Sequence, residues 1–256
     1  MLGKYRIERR LADGGRAAVF QAYDTIHGVK VALKIPEQEV TDEDFLNEFR
    51  REARVSMRME HPNVLPILNA CFIDDYFVIA MPLGIETLAD RMTRRMSTDL
   101  CVNFTRQALA ALAHAHGAKI IHCDVKPENF IIFPGNRLRL TDFGFSKIAV
   151  RSVRRASGSG TVGYLAPEQA LGRPMFQSDV FALGLVIYEM FSGQLPEWPY
   201  QWPPPGHARI RGKLKPRILA WLRKAIEFRP QDRYRNAVAM ERAFNEIHAK
   251  VLRRVR

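Results

Sequence analysis

The sequence predicts an α+β chain of two unequal lobes: a small antiparallel β lobe carrying one helix, then a larger, mainly helical lobe. Three observations predict it. Short β-rich runs separated by turn residues fill roughly the first 80 positions. One acidic-capped stretch of helical period interrupts them. Beyond residue 87 the apolar period is helical almost throughout.

Along the chain, residues 5–11, 18–23, 29–35, 65–72 and 76–81 read as strands. Between the third and fourth, Thr41-Asp42-Glu43-Asp44 caps a helix whose Phe45, Phe49, Ala53 and Met57 recur every four residues, until His61-Pro62-Asn63 stops it. Leu100, Phe104, Ala108, Leu112 and Ala115 make a long amphipathic helix, and Leu219, Leu222, Ala225 and Ile226 make another. The longest apolar run, 180–188, lies between Asp179 and Glu189, is far shorter than the ~20 residues that span a bilayer, and reads as a buried helix. Proline-dense residues 198–206 read as a loop. The expected division is a small lobe at 1–81, a hinge at 82–86 and a large lobe at 87–256.

Composition narrows the classes. At 256 residues and 47% hydrophobic content the chain can bury a core, which excludes disorder as its main state. Met1-Leu2-Gly3-Lys4-Tyr5-Arg6 has no apolar run after its charges, arguing against a secretory leader or membrane anchor. Cys71, Cys101 and Cys123 are too widely spaced for a CxxC metal site and odd in number for a disulfide framework, so a reducing cytoplasm fits. Thirty-nine basic against 27 acidic residues give a formal charge of +12, which favours anionic partners. The excess is local: Arg209, Arg211, Lys213, Lys215 and Arg217 alternate; Lys147, Arg151, Arg154 and Arg155 form a second group; and Lys250, Arg253, Arg254 and Arg256 form a third. Such runs are solvated faces or, at 209–217, a docking surface for an acidic partner. No specific nucleic acid is implied.

The most informative run is His122-Cys123-Asp124-Val125-Lys126-Pro127-Glu128-Asn129, with Asp142-Phe143-Gly144 downstream. It resembles the catalytic loop and metal loop of protein kinases. Its seven required identities, at about one in twenty each, would coincide by chance roughly once in 10⁹ alignments. The resemblance implies a bilobal protein-kinase-like fold over about residues 5–244, similar to bacterial serine/threonine kinases of the eukaryotic type. It further implies ATP and Mg²⁺, with Mn²⁺ as an alternative, and transfer of the γ-phosphate to protein hydroxyls.

Chemistry and resemblance agree on roles. Phosphoryl transfer leaves a protein little covalent chemistry, so it needs a carboxylate at the attacking hydroxyl and metal ligands on the phosphates. Asp124 is the candidate for the first role, and Asn129 and Asp142 offer hard oxygens to the metal. Lys126 can meet charge spreading over the transferring group, and by resemblance points to serine/threonine acceptors. Val31-Ala32-Leu33-Lys34 resembles the third-strand motif whose lysine contacts the phosphates. Glu52 is its expected partner, with Glu48 as the competitor. Gly160 through Glu168 resembles the end of an activation segment and a peptide-docking loop, with Ser157 a candidate phosphoacceptor and Thr161 a candidate docking-loop residue. By the same resemblance Asp179 anchors the catalytic loop, and Arg233 pairs with Glu168.

Three positions depart from the family pattern. Leu11-Ala12-Asp13-Gly14-Gly15-Arg16-Ala17-Ala18-Val19 keeps the central Gly14 but has alanine at the first and third glycines, at an expected cost of up to about 1 kcal/mol each where φ is unusual. Cys123 replaces the arginine that pairs with an activation-loop phosphate. With Ile79 as gatekeeper, Pro82 falls where a backbone N–H meets adenine, and proline has none. Adenine is then expected on the Ala80 carbonyl and between Leu11, Val19, Ala32 and Ile131. These departures motivate two alternatives, a binding or scaffold module of kinase fold without activity, and a small-molecule kinase of related fold. Retention of Lys34, Asp124 and Asp142 weighs against the first, and residues 161–168 weigh against the second.

Overall fold

The computed structural model describes residues 1–13, 17–36, 43–143, 162–197 and 201–252. Strands β1 (Tyr5–Asp13), β2 (Ala17–Asp24), β3 (Val29–Pro36), β4 (Asn69–Ile73) and β5 (Tyr76–Pro82) form one antiparallel sheet in the order β1-β2-β3-β5-β4. Helix α1 (Glu43–Met57) lies between β3 and β4 in sequence. Alternation along β5 divides the sheet's apolar side chains: Phe77, Ile79 and Met81 cluster with Ala53 of α1, whereas Val78 and Ala80 join Tyr5, Val31 and Leu33 in a second cluster.

The larger lobe opens with β6 (Glu86–Thr87), α2 (Leu88–Met92) and α3 (Thr98–Gly117), then β7 (Phe130–Phe133) and β8 (Arg137–Leu140), which complete a three-stranded sheet with β6. Helices α4 (Pro167–Ala170), α5 (Phe176–Ser192), α6 (His207–Lys213), α7 (Pro216–Ala225) and α8 (Ala237–Leu252) follow. The 180–188 run is indeed helical and buried within α5, where Gly184 lets α7 approach: a Cβ there would sit 2.6 Å from Ile226 Cγ2.

Several sequence expectations shift. The strand expected at 65–72 starts only at Asn69, because Pro66 has no N–H for a ladder. Met57, expected on the buried face of α1, is exposed. Strand β5 ends at Pro82 and β6 begins at Glu86, which leaves residues 83–85 between them. The alternating basics lie on α6 and the start of α7. Two of them, though exposed, are tied to the end of α5: Arg209 donates to Ser192 O at 3.2 Å and Lys213 to Phe191 O at 2.8 Å, satisfying its last carbonyls.

Candidate active site

A cleft of about 780 Å³ separates the lobes. Lys34, Asp124, Lys126, Asn129 and Asp142 all line it. They are held by one another and by bonds from both lobes.

Lys34, on β3, donates to Glu52 Oε1 of α1 at 2.8 Å and also reaches Asp142 Oδ1. This contact selects Glu52 as the lysine's partner. Burial pulls the Lys34 ammonium down, but the fields of Asp142 and Glu52 outweigh it and raise the group above its ordinary range. For Glu52, burial and the Asp142 charge prevail over the lysine and push the carboxyl up to about 7. Burial would also raise Asp142, but Lys34 holds it below the usual carboxylate range. Asp142 therefore stands ionised on the cleft wall.

The catalytic loop hangs on α5. Asp179 accepts the N–H of His122 at 2.7 Å and of Cys123 at 2.8 Å, and contacts His116 Nε2 at 2.9 Å. Cys123 has φ +65°, a left-handed conformation that costs a non-glycine residue about 1–2 kcal/mol. Bonds on both sides enforce it, since Gln169 Nε2 also donates to the Cys123 carbonyl. His122 donates from Nε2 to Thr141 O at 2.8 Å and accepts the Asp124 N–H on Nδ1 at 3.3 Å, tying the two loops together. Phe143 is fully buried with its ring 4.9 Å from that of His122, and Asp142, at φ +64°, turns toward the cleft.

Asn129 Nδ2 donates to Asp124 O at 2.7 Å and to Asp124 Oδ2 at 3.0 Å. Both amide protons are thereby used, which leaves Oδ1 as the atom for a hard cation. Lys126 Nζ lies 2.9 Å from Asp124 Oδ2. Among the described residues no three His, Cys, Asp or Glu side chains group into a metal site. Two protein donors, Asn129 and Asp142, suit an ion that completes its shell with phosphate oxygens and water.

Leu11, Val19, Ala32 and Ile131 line the apolar end of the cleft as expected, and Met81 joins them. The hinge register needs correction. Ala80 is buried on the opposite face of the sheet, its carbonyl accepts the Leu68 N–H at 2.8 Å, and neither it nor Ile79 lines the cleft. Met81, Pro82, Leu83 and Gly84 line it instead. Gly84 is required by close approach: a Cβ there would stand 2.2 Å from Ile131 Cγ2 and 3.0 Å from Ile132 O. The two alanines of the phosphate-covering loop are also less costly than expected. Ala12 and Ala17 lie in paired strands, and the described non-glycine residues with positive φ are Asp74, Lys119, Cys123, Asn136 and Asp142. Gly14, Ser157 and Thr161 lie outside the described residues.

The substrate side is braced by Glu168, whose carboxylate receives both Arg233 nitrogens at 2.8 and 3.1 Å, with the guanidinium 4.4 Å from the Phe181 ring. Tyr164 donates to Glu189, a carboxyl raised by burial and by the field of Glu128. Sequence reasoning missed His116, Gln169 and the Asn63 bridge. Asn63 Nδ2 donates to Gln107 Oε1 and to Leu138 O, each at 2.9 Å, joining the segment after α1 to the large lobe.

Geometry and comparison converge. Residues 5–233 match the Protein kinase domain family. The chain belongs to that family. It is 35% identical over 201 residues to the serine/threonine-protein kinase PrkC of Bacillus subtilis, covering 76% of this chain and 31% of the relative. It is likewise 35% identical over 207 residues to PknA of Mycobacterium tuberculosis, covering 76% and 48%, and 29% identical over 269 residues to pkn3 of Myxococcus xanthus, covering 93% and 49%. The chain thus spans about a third to a half of these relatives. Among the described residues no helix is long and apolar enough to cross a membrane.

Proposed function

We propose that this chain transfers the γ-phosphate of ATP to serine or threonine hydroxyls of a protein substrate. The observation that carries the reading is the convergence of Lys34, Asp124, Lys126, Asn129 and Asp142 on one cleft wall. Adenine lies between Val19, Ala32, Met81 and Ile131, with the Pro82 carbonyl and Gly84 N–H as its polar partners. Asn129 Oδ1 and Asp142 would hold Mg²⁺, or Mn²⁺ in its place, which when bound offsets phosphate charge. Lys34 steadies the phosphates, Asp124 orients the hydroxyl and accepts its proton, and Lys126 meets charge developing on the transferred group. Three free cysteines suit a reducing cytoplasm, and the names of the relatives support serine/threonine acceptors. Of the basic segment, exposed Arg211, Lys215 and Arg217 remain for an acidic partner.

The test is transfer of labelled γ-phosphate to the chain itself or to a generic protein substrate. It should require a divalent cation and be lost in Lys34→Met. Label transfer that persists in EDTA would refute the reading.

A further inference from the structure

The last helix is connected to the catalytic loop through one buried side chain. His116, near the end of α3, is 2% exposed. Its Nδ1 accepts the Ala237 N–H at 2.9 Å, so the proton of the neutral ring sits on Nε2 and is donated to Asp179 Oδ2 at 2.9 Å. That carboxylate also holds the His122 and Cys123 amides, one residue from Asp124. The Phe176 ring packs 4.7 Å from the imidazole and closes its other side.

Ala237 opens α8. Asn236 caps the helix, its Oδ1 accepting the Ala239 N–H at 2.9 Å. The first N–H groups of a helix have no partner within it. Here that orphan donor is turned inward onto His116 instead of toward water.

We propose that His116 is a positioning residue that couples the placement of α8 to the geometry around Asp124. The Ala237 amide selects the tautomer that gives Asp179 a donor. Were α8 to draw back, Nδ1 would lose that donor and stand buried unsatisfied, so the ring would no longer be held in place against Asp179. The anchor of the catalytic loop would then loosen although nothing in the cleft had been touched. A partner gripping α8 would thereby tune turnover from the far side of the lobe. The turnover arm of the test rests on the kinase reading above; the amide-exchange arm does not.

Two variants separate the halves of the relay. In His116→Asn the side-chain carbonyl still accepts from Ala237, but the shorter amide falls short of Asp179. In His116→Gln an N–H reaches the Nε2 position. His116→Asn should lower kcat at least ~10-fold with KM for ATP within ~2-fold, and His116→Gln should recover at least a third of kcat. In the nucleotide-free protein, hydrogen exchange at the His122 and Cys123 amides should accelerate at least ~10-fold in His116→Asn. Ala237→Pro removes the donor where proline's fixed φ suits a helix start, and it should accelerate the same two amides. It carries the test should His116→Asn fail to fold. A wild-type chain that transfers no phosphate would sink the kinase reading and leave the exchange arm to decide this one. Unchanged exchange at both amides in a folded variant would overturn the coupling, whatever the change in melting temperature.

Discussion

The floor of the cleft and its β roof hold their residues by different means. On the floor, the segment that carries Asp124 and Asn129 is fixed by side-chain bonds that converge from α3, α4 and α5, and His122 ties it to the residue before Asp142. On the roof, the apolar lining residues Val19 and Ala32 are placed by strand register, Val19 opposing Ala12 on one side and Lys34 on the other, while Lys34 is also held by Glu52 and Asp142. Register tolerates exchange of one small residue for another. A network of buried polar bonds does not, because removing one partner strands the rest. This difference explains how the chain keeps Asp124, Lys126, Asn129 and Asp142 in its loops, Cys123 being the departure there, and yet replaces two glycines above them.

The comparison can be broken by substitution. The largest effect should come from Arg233→Ala, which leaves Glu168 buried without its cation and removes the ring contact with Phe181. Breaking such a pair costs about 3–5 kcal/mol, readable as a lowered urea midpoint. Next is Asp179→Asn, which weakens the hold on both loop amides. A loss of about 2–3 kcal/mol with a fall in kcat of at least ~100-fold is expected from calorimetry and initial rates. Gly84→Ala forces Ile131 aside and should cost about 1–3 kcal/mol while raising KM for ATP more than kcat falls. On the roof, Ala12→Gly should change KM for ATP by less than ~3-fold, since the strand already has an ordinary φ there. A large gain in affinity would show that the missing glycine matters for phosphate approach after all.

The smallest expected effect is one of pH, at the junction of the lobes. His61 stacks on His114 with ring centroids 4.9 Å apart and accepts the Asn63 N–H on Nδ1 at 3.1 Å. Burial, and then the field of His114, lower its pKa below the ordinary 6.5. The unfolded chain therefore binds the proton more readily, so this contribution is complete above about 6.5 and is lost as pH falls toward the depressed value. Melting curves at pH 7.5 and 5.5 should show a small acid destabilisation that shrinks in His114→Phe.

What the sequence revealed follows the same division. The catalytic and metal loops were readable because their chemistry fixes residue identity at each position, and so were Asp179, Glu168 and Arg233. Register along β5 was hard to read because the strand is apolar on both faces: Phe77, Val78, Ile79, Ala80 and Met81 are all buried, which erases the alternation that sets register. Gly84 then escaped notice, although it lines the cleft two positions after Pro82. His116 carried one signal that could have found it. It falls four residues after Leu112 and seven after Leu109, a polar side chain on a buried helical face.

Asp124 and Asp142 are expected to perform separate tasks on one rigid floor, and a single paired measurement tests that division. Asp124→Asn and Asp142→Asn are compared for Mg²⁺-dependent ATP binding by calorimetry and for γ-phosphate transfer. Both should lose transfer by at least ~10³-fold, because each acts on the transition state more than on the core. Only Asp142→Asn should also lose the Mg²⁺ dependence of binding, while Asp124→Asn binds as the parent does. Near-normal transfer by either variant, or equal loss of Mg²⁺-dependent binding in both, would contradict the assignment.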